Sequence, residues 1–143
     1  MAAQTFFDAF FEHEAEGVHN FASHTIKALF TNDAPSASAD SVRTDLTSEL
    51  GTAGGYTAGG VTLDSVTSTR SGAVYTLDAA DEVFTATGSV GPFRYVVFYN
   101  DTPTSPADPL ISYVDYGSSI TLEDTETFTI TFSASGIATK TSA

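Results

Sequence analysis

From Val61 to the C-terminus the chain is cut into short apolar and β-branched runs, each closed by a turn cluster, with no helical stretch between them. "VTLDSVTSTR" alternates apolar or β-branched residues with polar ones, and "AVYTLD" follows Ser71-Gly72. "EVFTAT" leads into the turn "GSVGP". "FRYVVFYN", the most apolar run, leads into the loop "NDTPTSPADP". "LISYVDY", the turn "GSS" and the short "ITL" come next, and "EDTE" turns into "TFTITF". Runs of about four to eight such residues, bounded by Gly, Pro, Asn and Asp, signal strands. Strands this closely spaced imply an all-β fold, an antiparallel β-sandwich that is jelly-roll-like. "FRYVVFYN" is the expected central strand. Alternation points Ile26, Ala28 and Phe30, Val96 and Phe98, and Phe128, Ile130 and Phe132 inward.

The first part of the chain reads differently. "TFFDAFFEHEAEGVH" holds Phe6, Phe7, Phe10 and Phe11 at i, i+1, i+4 and i+5, with Asp8, Glu12 and Glu16 between or beyond them. That spacing predicts a short amphipathic helix over Thr5–Glu16, with Thr5 as N-cap and Gly17 as its stop. "HTIKALFTND" predicts a strand. After "APSASAD", Asp40 or Ser41 can cap a second short helix in the connection, with Val42, Leu46 and Leu50 on one face and Gly51 ending it. The expected organisation is an N-terminal helical arm over 1–22 and a β-sandwich domain over 23–143.

A chain of 143 residues suffices for one domain with a real core. Only Lys27, Arg43, Arg70, Arg94 and Lys140 stand against 18 acidic residues, a net charge of −13. Nucleic acid needs clustered cations, so it is excluded as a direct partner, and an anionic membrane surface is disfavoured for the same reason. A strongly acidic surface keeps a protein soluble and suits a basic protein surface. The sequence has no cysteine, which removes disulfides, zinc–thiolate sites, iron–sulfur clusters and thiol nucleophiles. The N-terminus lacks the pattern of a secretory signal, and no apolar run approaches the roughly 20 residues of a membrane span.

Three constellations invite chemistry. "HEAEGVH" resembles a zinc-protease motif, but that motif needs histidines four apart on one helix face, whereas His13 and His19 are separated by Gly17. With His24 they read as a solvated helix end and loop, and no metal or cofactor is expected. "GTAGGYTAGG" is glycine-rich but lacks the Gly-Lys-Ser/Thr ending of a phosphate loop and leads into a strand, so it reads as a turn-rich connection. The acids beyond Val61 lie mostly in turns, where Asp bonds locally. They form no Asp-x-Asp-x-Asp-Gly calcium loop, and no serine sits in a Gly-x-Ser-x-Gly elbow. No catalytic residues are assigned, and the chain is expected not to be an enzyme. Arg94 is the sole cation of its apolar strand. It either pairs with Asp115 of "YVDYG" across neighbouring strands or faces outward at an edge.

"IKALFTNDAP", "GGYTAGGVTL", "GPFRYVVFYND", "PLISYVDYGSSITL" and "ETFTITFSASGI", in this order, resemble a group of small structural proteins of tailed-bacteriophage virions. The resemblance spans roughly His24 to Ile137. It implies a capsid decoration, or cement, protein on the outer surface of the shell. The implied partners are the major capsid protein and further copies of the chain, as a trimer in preference to a dimer. A head-fibre or tail component that binds a receptor or surface glycan is the alternative, and a glycan-cleaving enzyme, which needs two carboxylates in one cleft, is a further rival. The stretch before His24 departs from the group's pattern. Its four phenylalanines, Phe6, Phe7, Phe10 and Phe11, are too concentrated to be left in water, and a sandwich can fill its core from its own strands, so they are expected to form a foot that docks on another subunit, the alternative being a cap on an open end of their own sandwich.

Overall fold

The structure is a computed structural model that describes residues 4–142, so positions 1–3 of the expected arm and position 143 of the expected β domain lie outside the described residues. Among the described residues, ten strands pair antiparallel, and the all-β expectation holds. They are β1 (Gln4–Phe6), β2 (Ile26–Thr31), β3 (Val61–Thr62), β4 (Thr67–Ser71), β5 (Val74–Asp78), β6 (Glu82–Thr85), β7 (Val90–Asn100), β8 (Leu110–Leu122), β9 (Thr127–Ile130) and β10 (Ala138–Thr141). One helix, α1 (Asp8–Ala15), follows β1. A five-stranded sheet has the order β1-β8-β7-β2-β3, a three-stranded sheet the order β10-β5-β4, and β6 pairs with β9 alone. The run expected to be central, now β7, is the middle strand of the largest sheet.

One hydrophobic cluster joins all three sheets. Ile26, Ala28, Phe30, Val96 and Phe98 from the large sheet meet Leu77 of β5, Phe84 of β6, and Phe128 and Ile130 of β9, with Phe132 just beyond. Phe30 sits at its centre. Its ring stacks on Phe93 at 4.5 Å and on Tyr56 at 4.9 Å, and meets Phe84 and Phe128 edge-on at 5.6 Å each. Each such pair adds about 0.5–1.5 kcal/mol to the burial of its surface. The opposite face of the sheet is also covered. Leu29, Val97, Tyr99 and Leu110 form a second cluster there with Phe7, flanked by Leu46 and Tyr113. Burial on both faces explains why β7 reads as a continuous apolar run rather than an alternating one.

Three local expectations are corrected. The second helix does not form; Arg43–Asp45 makes only a single 3-10 turn. The flanking chain is held extended by bridges from Val42 to Pro109 and from Glu49 to Thr31. The Asp45 carboxylate accepts the backbone N–H groups of Ser41 at 2.9 Å and Val42 at 3.1 Å, the local competition by which Asp disfavours helix. Those two backbone donors hold the Asp45 carboxyl below its ordinary pKa. The "GSS" turn is a bulge within a single strand: Phe93 pairs with Ile120 and Tyr95 with Asp115, so Tyr116–Ser119 of β8 stand opposite Arg94 alone. Gly117 takes a φ of +86° there, a conformation favouring glycine. The last strand, β10, had no place in the expected strand set.

The N-terminal segment is the largest correction. The helix begins at Asp8, with Phe7 rather than Thr5 at its N-cap, and Thr5 lies within β1. Through β1, residues 4–6 pair with Ser112–Val114 and become an edge of the main sheet rather than a separate arm. Gly17 does end the helix. Val18 N–H donates to the His13 carbonyl at 2.9 Å and Gly17 N–H to the Glu14 carbonyl at 3.2 Å, with Gly17 at φ +75°, which is the Schellman stop.

Candidate functional site

The four N-terminal phenylalanines do not share one free face. Phe6 and Phe7 are consecutive, and the strand geometry of β1 sends their rings to opposite sides of the sheet. Phe6 packs against the large cluster and stacks on Phe10 at 5.6 Å, while Phe7 is fully buried in the second cluster, 5.4 Å from the Tyr113 ring. Phe10 points inward from α1 and is 2% exposed. Only Phe11 is largely exposed, at 57%, with its ring edge against Phe10 at 5.6 Å. The expected foot is therefore mostly an internal plug in this structure. The physical reason is that the sheet has two apolar faces and an open edge at β8, and the segment's strand and helix close both.

A seam runs between this segment and β10. Lys140 Nζ lies 2.9 Å from Glu14 Oε2, and the Gln4 side-chain amide donates to the Ile137 carbonyl. Between these ties lies a pocket of about 190 Å³ lined by Phe6, Phe10, Phe11, Tyr75 and Leu77, with Ala138 on its β10 wall. A neighbouring cleft of about 300 Å³ is bordered by Glu14, His19, Phe21, Ser68, Tyr75 and Lys140. Asp8 and Glu12 stay exposed on α1, and Glu16 at its C-cap.

The three histidines come together, though not as a metal cage. His13 and His19 have ring centroids 6.1 Å apart, and His19 stacks on Phe21 at 4.9 Å and sits 5.3 Å from Phe10. The buried Asn100 at the end of β7 joins the other two: its amide nitrogen is 3.0 Å from His19 Nδ1 and 2.9 Å from His24 Nδ1. Among the described residues no group of three or more His, Asp or Glu side chains is arranged to hold a metal ion. Asn100 carried no sequence signal, because a polar residue closing an apolar strand reads as a turn.

A second polar cluster also escaped the sequence. Glu49 Oε1 accepts from Arg43 Nε at 3.1 Å and Nη2 at 2.9 Å. Glu49 Oε2 accepts from the Tyr56 hydroxyl at 3.2 Å and from the Gly59 N–H, while the Tyr99 hydroxyl donates to the Gly59 carbonyl. Tyr56 Oη in turn accepts the Phe30 N–H at 3.1 Å. The network fastens the glycine-rich connection to β2. Gly60, at φ +93°, presses so close that a Cβ there would lie 2.1 Å from the Ala28 carbonyl oxygen. That contact, not a phosphate, is what this glycine serves.

Arg94 and Asp115 pair as one of the two sequence alternatives had it, through a two-pronged contact of 2.7 and 3.0 Å. In two pairs of acids one member has a raised pKa: Glu82, by burial first and then by the charge of Asp64, and Asp108, by burial first and then by the charge of Asp101. Asp101 is also tied to Lys27 at 3.3 Å, and Asp108 lies 3.8 Å from Arg43. The clefts of the N-terminal seam are lined by neither pair. No family model, curated protein or solved structure matches the chain.

Proposed function

We propose that the chain is a structural protein of a tailed-phage particle, a decoration protein that binds the major capsid protein on the outer shell and associates with further copies of itself. The observation that carries this reading is where the five resembling stretches fall. They supply β2, the glycine-rich connection with β3, β7, β8 and β9, so the resemblance follows the framework of the domain rather than one loop. The fold is read accordingly as a jelly-roll-like sandwich, with the five-stranded sheet as one layer and the two smaller sheets as the other. The acidic surface suits a basic patch on a shell. Phe11 is the one N-terminal phenylalanine left largely exposed for a neighbouring subunit, and a trimer is favoured over a dimer.

Cryo-electron microscopy of purified particles that contain the chain tests the proposal. Density for this domain on the outer shell, repeated around symmetry axes, is the expected result. Density confined to the tail or to head fibres would move the assignment to the receptor-binding alternative. Purified particles free of the chain would overturn a virion role.

A further inference from the structure

Asn100 is fully buried, and its side-chain oxygen accepts the Thr102 N–H at 3.2 Å. That bond sets which way the amide faces. The nitrogen, with two protons to give, points at His19 Nδ1 and His24 Nδ1. His24 Nδ1 also receives the Asn20 N–H at 3.2 Å. With the amide facing this way, both neutral imidazoles present a bare Nδ1 and carry their proton on Nε2, which in His19 is buried without a partner. A proton added to either Nδ1 would point at an N–H donor with no acceptor to meet it.

We infer that this amide–imidazole clasp is an acid-sensitive latch: it fastens α1 and the loop behind it, Asp8 to Ser23, to the end of β7, and it opens when His19 is protonated. Each ring takes one of the two amide protons, so a charged His19 loses its bond to Asn100 and turns an N–H against the amide. Phe10, the buried anchor of α1, lies directly against His19 at 5.3 Å, so the helix loses its seat when the ring moves. β1 is held separately, by its ladder to β8 and by Phe7 in the second cluster, and stays in place.

The groups around the latch favour its neutral form. His13 faces His19 from α1, and His24 faces it from the loop before β2. Lys140 of β10, Glu14 of α1 and Tyr75 of β5 share the cleft that His19 borders. Glu14 alone would welcome an imidazolium, but its carboxylate is already matched by Lys140 at 2.9 Å. Beyond Asn100, Asp101 and Lys27 are paired with each other. The Phe21 face attracts a cation only weakly. Burial first, then His13 and His24, lower the His19 pKa to about 4.

Amide hydrogen exchange on the full chain tests the latch, read as protection factors at about pH 7.5 and about pH 4.5 for the wild type and for a His19→Gln, His24→Gln double variant. In the wild type, residues 8–23 are expected to lose between about tenfold and a hundredfold in protection at the lower pH while β7 and β8 keep theirs. The double variant should show no such step. Unchanged protection of residues 8–23, a loss shared equally by β7 and β8, or a step that survives in the double variant would each overturn the inference. If circular dichroism shows the double variant unfolded at about pH 7.5, a wild-type histidine NMR titration decides. His19 neutral as its Nε2–H tautomer at neutral pH, with exchange rising as it charges, sustains the latch, and charging of His19 that leaves exchange unchanged overturns it.

Discussion

Arg94 and Asp115 clamp the main sheet at the point where β8 bulges. The guanidinium of Arg94 meets both carboxylate oxygens of Asp115, at 2.7 and 3.0 Å, and one of those oxygens also accepts the Gly117 N–H at 2.8 Å. Arg94, first, and that N–H hold the Asp115 carboxyl below its ordinary pKa. The pair is open to solvent, so salt screens it. Arg94→Ala should lower the urea midpoint slightly at low ionic strength, and the difference should vanish at about 1 M salt, where the screening length is near 3 Å. A difference that does not depend on salt would point instead to the packing of Arg94 over the Tyr95 ring, 5.4 Å away.

The neighbouring rings Phe10 and Phe11 should separate an internal plug from a docking foot. Phe10→Ala removes a buried ring and is expected to cost about 3–5 kcal/mol in chemical denaturation. Phe11→Ala should change stability by no more than about 0.5 kcal/mol. If Phe11 meets a neighbouring subunit, its loss weakens assembly or shell binding while the melting curve stays put. Deleting residues 1–17 strips β1 from β8 and empties the seats of Phe7 and Phe10, so the truncated chain should unfold or nearly so.

Phe128 meets Phe30, Phe93 and Tyr116 edge-on at 5.6, 5.1 and 5.1 Å. Phe128→Ala should cost about 3–5 kcal/mol, the usual range for emptying a buried aromatic site. A loss below about half a kcal/mol would mean that the β9 register places this ring outside the core.

Tyr56→Phe keeps the ring and removes one oxygen. The Phe30 N–H then has no acceptor inside the sheet, and Glu49 loses one donor. A buried donor left unmet costs about 1–3 kcal/mol, which equilibrium unfolding would register. Faster amide exchange across the glycine-rich connection should accompany it.

His19 gives stability a particular pH dependence. Its folded pKa, about 4, lies below the ordinary 6.5, so the folded state prefers the neutral ring. The stability this contributes is fully present above 6.5 and is lost as pH falls from there toward 4. Asp33, Asp45 and Asp115 have lowered carboxyl pKa values, and their contribution disappears only further down, below the ordinary carboxylate range. Urea midpoints across this range should therefore fall in two stages, and His19→Gln should remove the upper one.

Strands that alternate or run apolar could be read from the residues alone: β2, β5, β7 and β9 fall where their side chains put them. What stayed hidden has a physical cause each time. Phe6, Phe7, Phe10 and Phe11 fit helical spacing, yet the first two belong to an edge strand, because pairing with β8 outweighs the local pattern in so short a segment. Val42, Leu46 and Leu50 also fit a helix, but Asp45 binds the backbone that the helix would need. β10 is polar and mostly exposed, so "ATKT" carries no alternation to see. The Arg94–Asp115 pair was foreseeable because each charge is isolated within an apolar strand. The Asn100 clasp and the Glu49 network were not, since each unites residues from distant parts of the chain.

The sheet around β7 is covered on both sides, and that decides where this molecule can be addressed. Among the described residues a visitor finds no broad apolar face of this sheet to lie on, because Phe7 and Leu46 close one side and the smaller sheets close the other. Recognition is left to the rim: the outer turn of α1, the strand edges and the hairpin at Gly72, where added atoms would meet open space. The same geometry makes the Gly72 hairpin a natural place to insert a foreign peptide for display, since lengthening that turn disturbs neither hydrophobic cluster.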